Sequence, residues 1–587
     1  MENRIENLDE NKGFKSFAFI KKHPLWSLLI AYVLFTVTTF GNMYTLSTFG
    51  LCGLSVAIVA AYAYLAYKII KSNGFKGINA ALYYSVIILF SILLCCLFCI
   101  TAKNKQYLFA FFVAVILIFA YLAVCVYTEI KQKTFSIDTA IAAIFISAYF
   151  FRLFYVLYTG YGTRQHDLYL KGEKGHFYYV KYIYENFSLP KENIMTSQMY
   201  HPPFHHIVCA AALRFWSLFG VDYIVAYEGL QILTLTESMI TLYVCYRILK
   251  EVGLKKEGLK NVGLILSLCV LAVHPTFILL SGSLNNDNLS VMLAMCSIYF
   301  AIKWHKNKTL RNIIAIALSI GLGMMTKLSV WMVAPPIAIM FLLSLFSKEE
   351  DKKTLVKQFV VFGVICLPLG LFWSVRNYFL CGMPFGYVLE QSVKSAQYVG
   401  NSSLSTQTRH TVLDRLFNFR LYQLESVFTQ NKVINGKAPY NDFNPTIGIL
   451  KSAMFEESLF TSIEFICTIA FYSSVLLALI SVVSEVWVFA VDKSRDGVVR
   501  MILGGTTLLV TASFYLFCLI YPHVCTMSAR YAVPAIAINI FAVGMAVDKL
   551  QNLKNRKAGK VLSYIIIVIA AIFVLSSVGV YCAVPFN

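Results

Sequence analysis

Runs of apolar residues about 20 positions long recur along almost the whole chain, separated by short polar interruptions. Each run is long enough to cross a hydrocarbon core of about 30 Å as an α-helix. The spacing predicts an all-α polytopic membrane protein with about 15 transmembrane helices. One stretch breaks the rhythm. Residues 161–206 are polar and aromatic, and they carry His166, His176, His201, His205 and His206, five of the chain's 10 histidines. A membrane protein with one dense chemical segment between apolar spans is expected to hold its active site there.

Composition agrees with this pattern. Of the 587 residues 58% are hydrophobic and only 14% charged, where a soluble domain has about 25% charged residues. A net charge of +20 would point to nucleic acid in a soluble protein. Here the basic residues lie largely in short loops, where they set orientation and meet anionic lipid. Membrane lipid is therefore an expected partner and nucleic acid is not. The fifteen cysteines fall mostly inside apolar runs and lack zinc-type spacing. The histidines also lack a strong metal-ligand spacing, so no metal ligands and no cofactor are assigned, and a divalent ion stays compatible with the stretch.

Basic clusters fall at Lys21/Lys22, Lys68/Lys71/Lys76, Lys131/Lys133, 247–260, 303–311, 348–357, 493–500 and 549–560. The positive-inside rule puts all of them on the cytoplasmic side. Flanks on one side require an even number of crossings between them. The chain then reads as seven helical hairpins and a final span, in the cell membrane, with a cytoplasmic N-terminus. The expected organisation is a tail at 1–24, a four-span module at 25–130 and an eleven-span core at 131–587. Two long external loops cover about 159–223 and 381–458. Segment 204–220 has 17 residues with Arg214 in its interior, and counting it as a span breaks the parity. It is expected to lie in the outer interface as a helix.

The polar hairpin tips then share one external face. Asp167 is the best placed general base, and a group of that kind contributes about 10²–10⁴-fold. An alternative is that it caps a helix starting near Leu168. His166 beside it is the second catalytic candidate. Segment 312–326 is short, about 22 Å as a helix, so Lys327 should sit recessed in the membrane, where a cation needs a partner or a function. Lys327, Arg376 and Arg530 suit an anionic group such as a phosphate, Arg by its fork and Lys as a point charge. No phosphate-cradling GxxxxGK[ST] and no GxGxxG occurs. The energy of any group transfer is expected to come from an activated lipid carrier.

Taken in order, Arg164-Gln-His-Asp167, Gly175-His176, Tyr200-His-Pro-Pro203, Asn286-Asp287, Thr326-Lys327, Arg376-Asn377 with Gly382-Met-Pro384, and Ala529-Arg-Tyr531 resemble the GT-C superfamily of lipid-phosphate-sugar-dependent glycosyltransferases. The pattern is most similar to the branch of protein O-mannosyltransferases and aminoarabinose transferases. That resemblance implies a GT-C-like helical bundle with interfacial helices in the first long external loop. It implies an inverting hexosyl- or pentosyltransferase that uses a polyprenyl-phosphate-linked sugar donor and a glycan, lipid or protein acceptor. Asp167 and His166 would be catalytic. Lys327, Arg530, Tyr531, Arg376, Asp287, His176 and His201 would bind donor or substrate. Many relatives carry an Asp-Glu pair in the first loop, whereas Asp167 here is flanked by His166 and Leu168. Two alternatives stand beside this reading: an oligosaccharyl or polymer ligase using a lipid-linked glycan, and a transporter or lipid flippase, for which Glu237 and Glu485 lie inside spans.

Overall fold

The computed structural model describes residues 137–160, 167–168, 174–218, 220, 223–254, 262–348, 350–395, 397–399, 411–419, 443–456, 464–553 and 556–583. The tail at 1–24, the module at 25–130 and His166 lie outside the described residues. The described residues divide into two compact units, one up to Ala143 with Phe215–Ile232, the other Ile144–Arg214 with Leu233–Asn587. All of the site residues discussed below belong to the second.

Helices account for nearly all regular structure among the described residues, beside one isolated antiparallel bridge between Tyr398 and His523. Seven helices are long and apolar enough to cross a bilayer, or eight if Val262–Val273 and Pro275–Ser281, bent by 45°, count as one. The chain is a multi-pass helical membrane protein. The expected total of about 15 spans includes runs outside the described residues, and this set does not reach it.

Polar caps start several helices, satisfying donors that have no partner within the first turn. Thr309 accepts from Asn312 ahead of Leu310–Met324, Asp351 from Lys353 ahead of Lys352–Cys381, and Asp496 from Val498 and Val499 ahead of Gly497–Ile520. Leu310–Met324 packs between Asp287–Lys306 and Lys352–Cys381, while Glu464–Glu485 packs on Arg556–Ala583 and Val533–Gln551. Val262–Val273 crosses Val533–Gln551 at a pair of glycines. A Cβ added at Gly263 would run into the Gly544 carbonyl, and one at Gly544 into Ser267 Oγ and the Gly263 carbonyl. Only residues without side chains let two helix backbones approach so closely. Ser267 Oγ seals the crossing by donating to the Ile540 carbonyl at 3.1 Å.

Three helices share an arrangement that positions the site. Asp287 begins Asp287–Lys306, Lys327 follows Leu310–Met324, and Arg530 precedes Val533–Gln551. The opposite ends carry ion pairs. Lys303 and Lys306 lie 3.4 and 3.0 Å from Glu251, Lys308 lies 2.8 Å from Glu350, and Lys549 lies 2.5 Å from Asp492. Arg495 reaches Asp548 at 3.2 Å and donates to the Val252 carbonyl at 2.6 Å. Site residues thus collect at one end of the bundle and clasped charges at the other.

Candidate active site

Four charged side chains from distant parts of the sequence meet at the first of these ends. Arg530 Nη2 donates to Asp167 Oδ2 at 3.1 Å, and its Nη1 lies 3.6 Å from Asp287 Oδ2. Lys327 Nζ pairs with Asp287 Oδ1. Two carboxylates and two cations balance, which lets these groups sit mostly out of water. Asp287 is almost wholly buried, Lys327 and Arg530 nearly so, and Asp167 is the most accessible of the four. Tyr531 backs both cations. Lys327 Nζ lies 4.7 Å and the Arg530 guanidinium 4.9 Å from its ring centre, and Arg530 also donates to its hydroxyl at 2.9 Å.

The sequence folds each contributor into place by backbone contacts. The Asn-Asn-Asp-Asn tip at 285–288 turns with Asn285 Oδ1 accepting from the Asp287 amide at 3.1 Å. Asn286 Nδ2 then donates to the Thr326 carbonyl at 2.9 Å, so Asp287 faces Lys327. The helix Leu310–Met324 ends in this break, and the Met325 carbonyl accepts from the Phe204 amide at 2.8 Å. Phe204 opens the 14-residue helix Phe204–Ser217, and it follows Pro202 and Pro203, which have no amide to leave unpaired. Arg530 sits in a short turn, Ala529–Tyr531, held by Ser452. The Ser452 hydroxyl accepts from the Ala529 amide at 2.8 Å and donates back to the Gly448 carbonyl of its own helix at 2.7 Å.

Asp167 has a left-handed backbone, with φ 56°. The described helix that follows is His176–Asn186, with Gly175 as its N-cap, so Asp167 does not cap it. Instead the Asp167 and Leu168 carbonyls accept from the His176 and Phe177 amides at 3.0 and 3.2 Å.

Behind Asp167 lies a stack of rings. His176 Nδ1 and His206 Nε2 are 2.8 Å apart. The His176 ring lies parallel to His206 and to His201, and Tyr179 stacks on His206 at 4.0 Å. Burial lowers the His176 pKa to about 4 against the partial opposition of Asp167 and Asp287. Burial also takes His205 to about 3 and holds His201 and His206 well below the usual imidazole range. These rings are neutral at neutral pH. Burial, with Asp167 acting in the same direction, raises the Tyr200 phenol.

The structure therefore brings together Asp167, Asp287, Lys327, Arg530 and Tyr531, with His176 and His201 alongside. It does not bring Arg376 into this cluster. Arg376 donates to the Pro190 carbonyl at 2.8 Å and to Asn377 Oδ1 at 2.6 Å, and lies over the Trp373 ring. Its neighbour Trp373 donates from Nε1 to the Tyr200 carbonyl at 2.9 Å. The pair Arg376 and Trp373 thus ties Lys352–Cys381 to the first loop. The sequence counts His206 within the histidine-rich stretch but gives it no role of its own; its contact with His176 is what the structure adds. Glu237 accepts from Asn288 at 3.4 Å, next to the Asp287 turn. Among the described residues no group of three or more His, Cys, Asp or Glu side chains is arranged to hold a metal ion.

A cleft opens from the cluster. Lys327, Arg530 and Tyr531 line it together with Val291, Val333 and Val510. Ser290 and Ser329 line it as well, so cations, hydroxyls and aliphatic side chains meet within one small space.

Residues 201–373 match the family of dolichyl-phosphate-mannose-protein mannosyltransferases. That match bears out the resemblance to the protein O-mannosyltransferase branch drawn from the ordered motifs, and it covers His201, Asp287 and Lys327. Among curated proteins, none matches the chain in sequence. Solved structures that align with the chain include two at low identity. One is the S. cerevisiae protein O-mannosyltransferase Pmt1-Pmt2 complex bound to the sugar donor, with TM-score 0.42, 10% identity, and 74% of this chain and 89% of that chain covered. The other is the oligosaccharyltransferase AglB from Archaeoglobus fulgidus in complex with an inhibitory peptide and a dolichol-phosphate, with TM-score 0.41 and 12% identity. That alignment covers 74% of this chain and 55% of the archaeal one.

Proposed function

We propose that the protein is an inverting membrane glycosyltransferase that moves a sugar from a polyprenyl-phosphate-linked donor to an acceptor at the outer face of the cell membrane. The observation that carries this reading is the cleft in which Lys327 and Arg530 adjoin an aliphatic wall. A lipid phosphate offers matching chemistry: an anion for the two cations and a hydrocarbon chain for the wall. The family match over residues 201–373 supports the same donor class.

In this reading the sugar phosphate binds at Lys327 and Arg530, with Tyr531 behind them. Asp167, the most accessible carboxylate of the cluster, takes the proton from an acceptor hydroxyl or amine as that atom attacks the anomeric carbon. The glycosidic bond to phosphate breaks, its electron pair stays on the lipid phosphate, and the two cations stabilise the departing charge. Asp287 orients both cations and meets no reacting atom. His166 stands beside Asp167 in sequence and completes the catalytic pair proposed from the motifs. We further read 131–587 as an eleven-span core, and Phe204–Ser217 as a helix lying in the interface.

The test uses full-length protein in lipid nanodiscs, given a panel of radiolabelled polyprenyl-phosphate sugars with membrane extract as the acceptor source. The expected result is acceptor-dependent release of polyprenyl phosphate with the label carried to a product of inverted anomeric configuration. Consumption of lipid-linked oligosaccharide alone would make the protein a ligase instead. Movement of lipid between leaflets with no transfer would make it a flippase.

A further inference from the structure

We propose that His206 is a positioning residue for Asp167, acting through the His176 ring on the turn of backbone that carries the carboxylate. The proposal rests on the reading of Asp167 as the base. Its starting point is the left-handed backbone of Asp167, with φ 56°. An aspartate visits that region more readily than most residues, but it still needs surroundings that hold it there. The holding contacts are the His176 and Phe177 amides, which donate to the Asp167 and Leu168 carbonyls. Both amides belong to the first turn of His176–Asn186, where they have no partner within the helix. Gly175 at the N-cap has no side chain to offer them. The backbone from which the Asp167 carboxylate projects is therefore held by this helical turn, while Arg530 Nη2 meets the carboxylate itself at 3.1 Å.

The turn is held in turn by His206. Its Nε2 lies 2.8 Å from His176 Nδ1, the two rings are within 12° of parallel, and Tyr179, from the same helix as His176, stacks on the His206 ring at 4.0 Å. Both imidazoles are buried, and the low imidazole pKa values already described keep them neutral, so one ring donates and the other accepts. His206 itself sits on Phe204–Ser217, whose first amide is bound to the Met325 carbonyl, two residues before Lys327. One imidazole thus joins the turn that aims the carboxylate to the break that presents the cation. Loss of the hydrogen bond frees the first turn of His176–Asn186 to shift while the packing of the bundle stays.

Two variants separate the bond from the packing in full-length protein in nanodiscs. His206→Phe keeps a stacked ring and removes the nitrogen, whereas His206→Gln keeps a polar group able to reach His176 Nδ1. Hydrogen exchange at the His176 and Phe177 amides is expected to accelerate in His206→Phe and to stay near the native rate in His206→Gln. A misplacement of about 1 Å costs about 10²-fold, so kcat for sugar transfer should fall by that order in His206→Phe, with donor KM little changed, and recover in His206→Gln. Native exchange and native kcat in His206→Phe would overturn the proposal, as would equal acceleration in both variants. The exchange measurement needs no turnover. If the wild-type protein transfers no sugar, the function fails and the positioning role is still decided.

Discussion

Arg530 Nη2 donates to Asp167 Oδ2 at 3.1 Å, joining two side chains 363 positions apart in sequence. The same guanidinium lies 3.6 Å from Asp287, so it spans the carboxylate read as the base and the carboxylate that orients the cations. While the contact lasts, one Asp167 oxygen is occupied by an N–H donor. An incoming phosphate is a better match for the guanidinium fork, and drawing Arg530 toward it would release that oxygen for the acceptor's proton. On the proposed reading, donor binding and readiness of the base are linked by a single side chain.

Arg530→Lys keeps the charge and loses the fork. Turnover is expected to fall by about 10²–10³-fold, the range for removal of a group that stabilises developing negative charge. Single-turnover transfer from a radiolabelled polyprenyl-phosphate sugar reads this directly. Turnover within a few-fold of wild type would remove Arg530 from the phosphate.

Asp167→Asn retains the shape and the tolerance for a left-handed backbone but cannot take a proton. Sugar transfer should drop by about 10²–10⁴-fold, while yield, detergent elution profile and melting temperature match wild type. Undiminished transfer by this variant would exclude Asp167 as the base.

The pair of Lys327 and Asp287 is nearly shut off from water. Breaking such a pair from one side costs about 3–5 kcal/mol, because the remaining charge is left uncompensated. Asp287→Ala is therefore expected to lower the melting temperature markedly. The double variant Asp287→Ala with Lys327→Met should recover much of that loss and remain inactive. A single variant as stable as wild type would show that the pair is dispensable for the fold.

Acid should loosen the ring stack. His176 titrates near pH 4 in the folded protein against 6.5 for an unperturbed histidine. Between those values the unfolded chain binds the extra proton and the folded one does not, so stability is complete above about pH 6.5 and falls as pH drops toward 4. His205, lowered to about 3, adds in the same direction. Melting temperatures from pH 7.5 to 4.5 should decline in wild type and decline less in His176→Asn. Equal slopes would contradict the assignment.

At the helix crossing, Gly544→Val places a branched side chain where the Gly263 carbonyl already lies. Overpacking costs about 1–3 kcal/mol where side chains can adjust, and more where the obstacle is backbone. The variant is expected to lose thermal stability beyond that range, and Gly544→Ala to lose less. Native stability in the valine variant would mean that the two helices separate at little cost.

The hairpin tips were legible in sequence because each interrupts an apolar run. Asp287 in its Asn-rich tip, Lys327 after a short limb, and Arg530 before a new span all stand out for that reason, and all three meet in the structure. What sequence does not carry is which tips touch. The contact between Arg530 and Asp167 depends on helix packing across most of the chain. Arg376 looked equivalent to Arg530 by charge and motif, yet it spends its donors on the Pro190 carbonyl and Asn377, a backbone anchor that no pattern of residue types reveals. His206 stood in the histidine-rich stretch by count, but its contact with His176 depends on how two helices pack, which the order of residues does not carry.

The clasped charges at the far end of the bundle lie a helix length away from the site, so small angles there become large displacements at Asp287. Asp287–Lys306 has 20 residues, a lever arm of about 30 Å. With Lys303 and Lys306 fixed on Glu251, a tilt of about 4° carries Asp287 through about 2 Å, on a rod of that length. That travel is enough to part it from Lys327. A displacement of that size at the site end requires no helix to unwind.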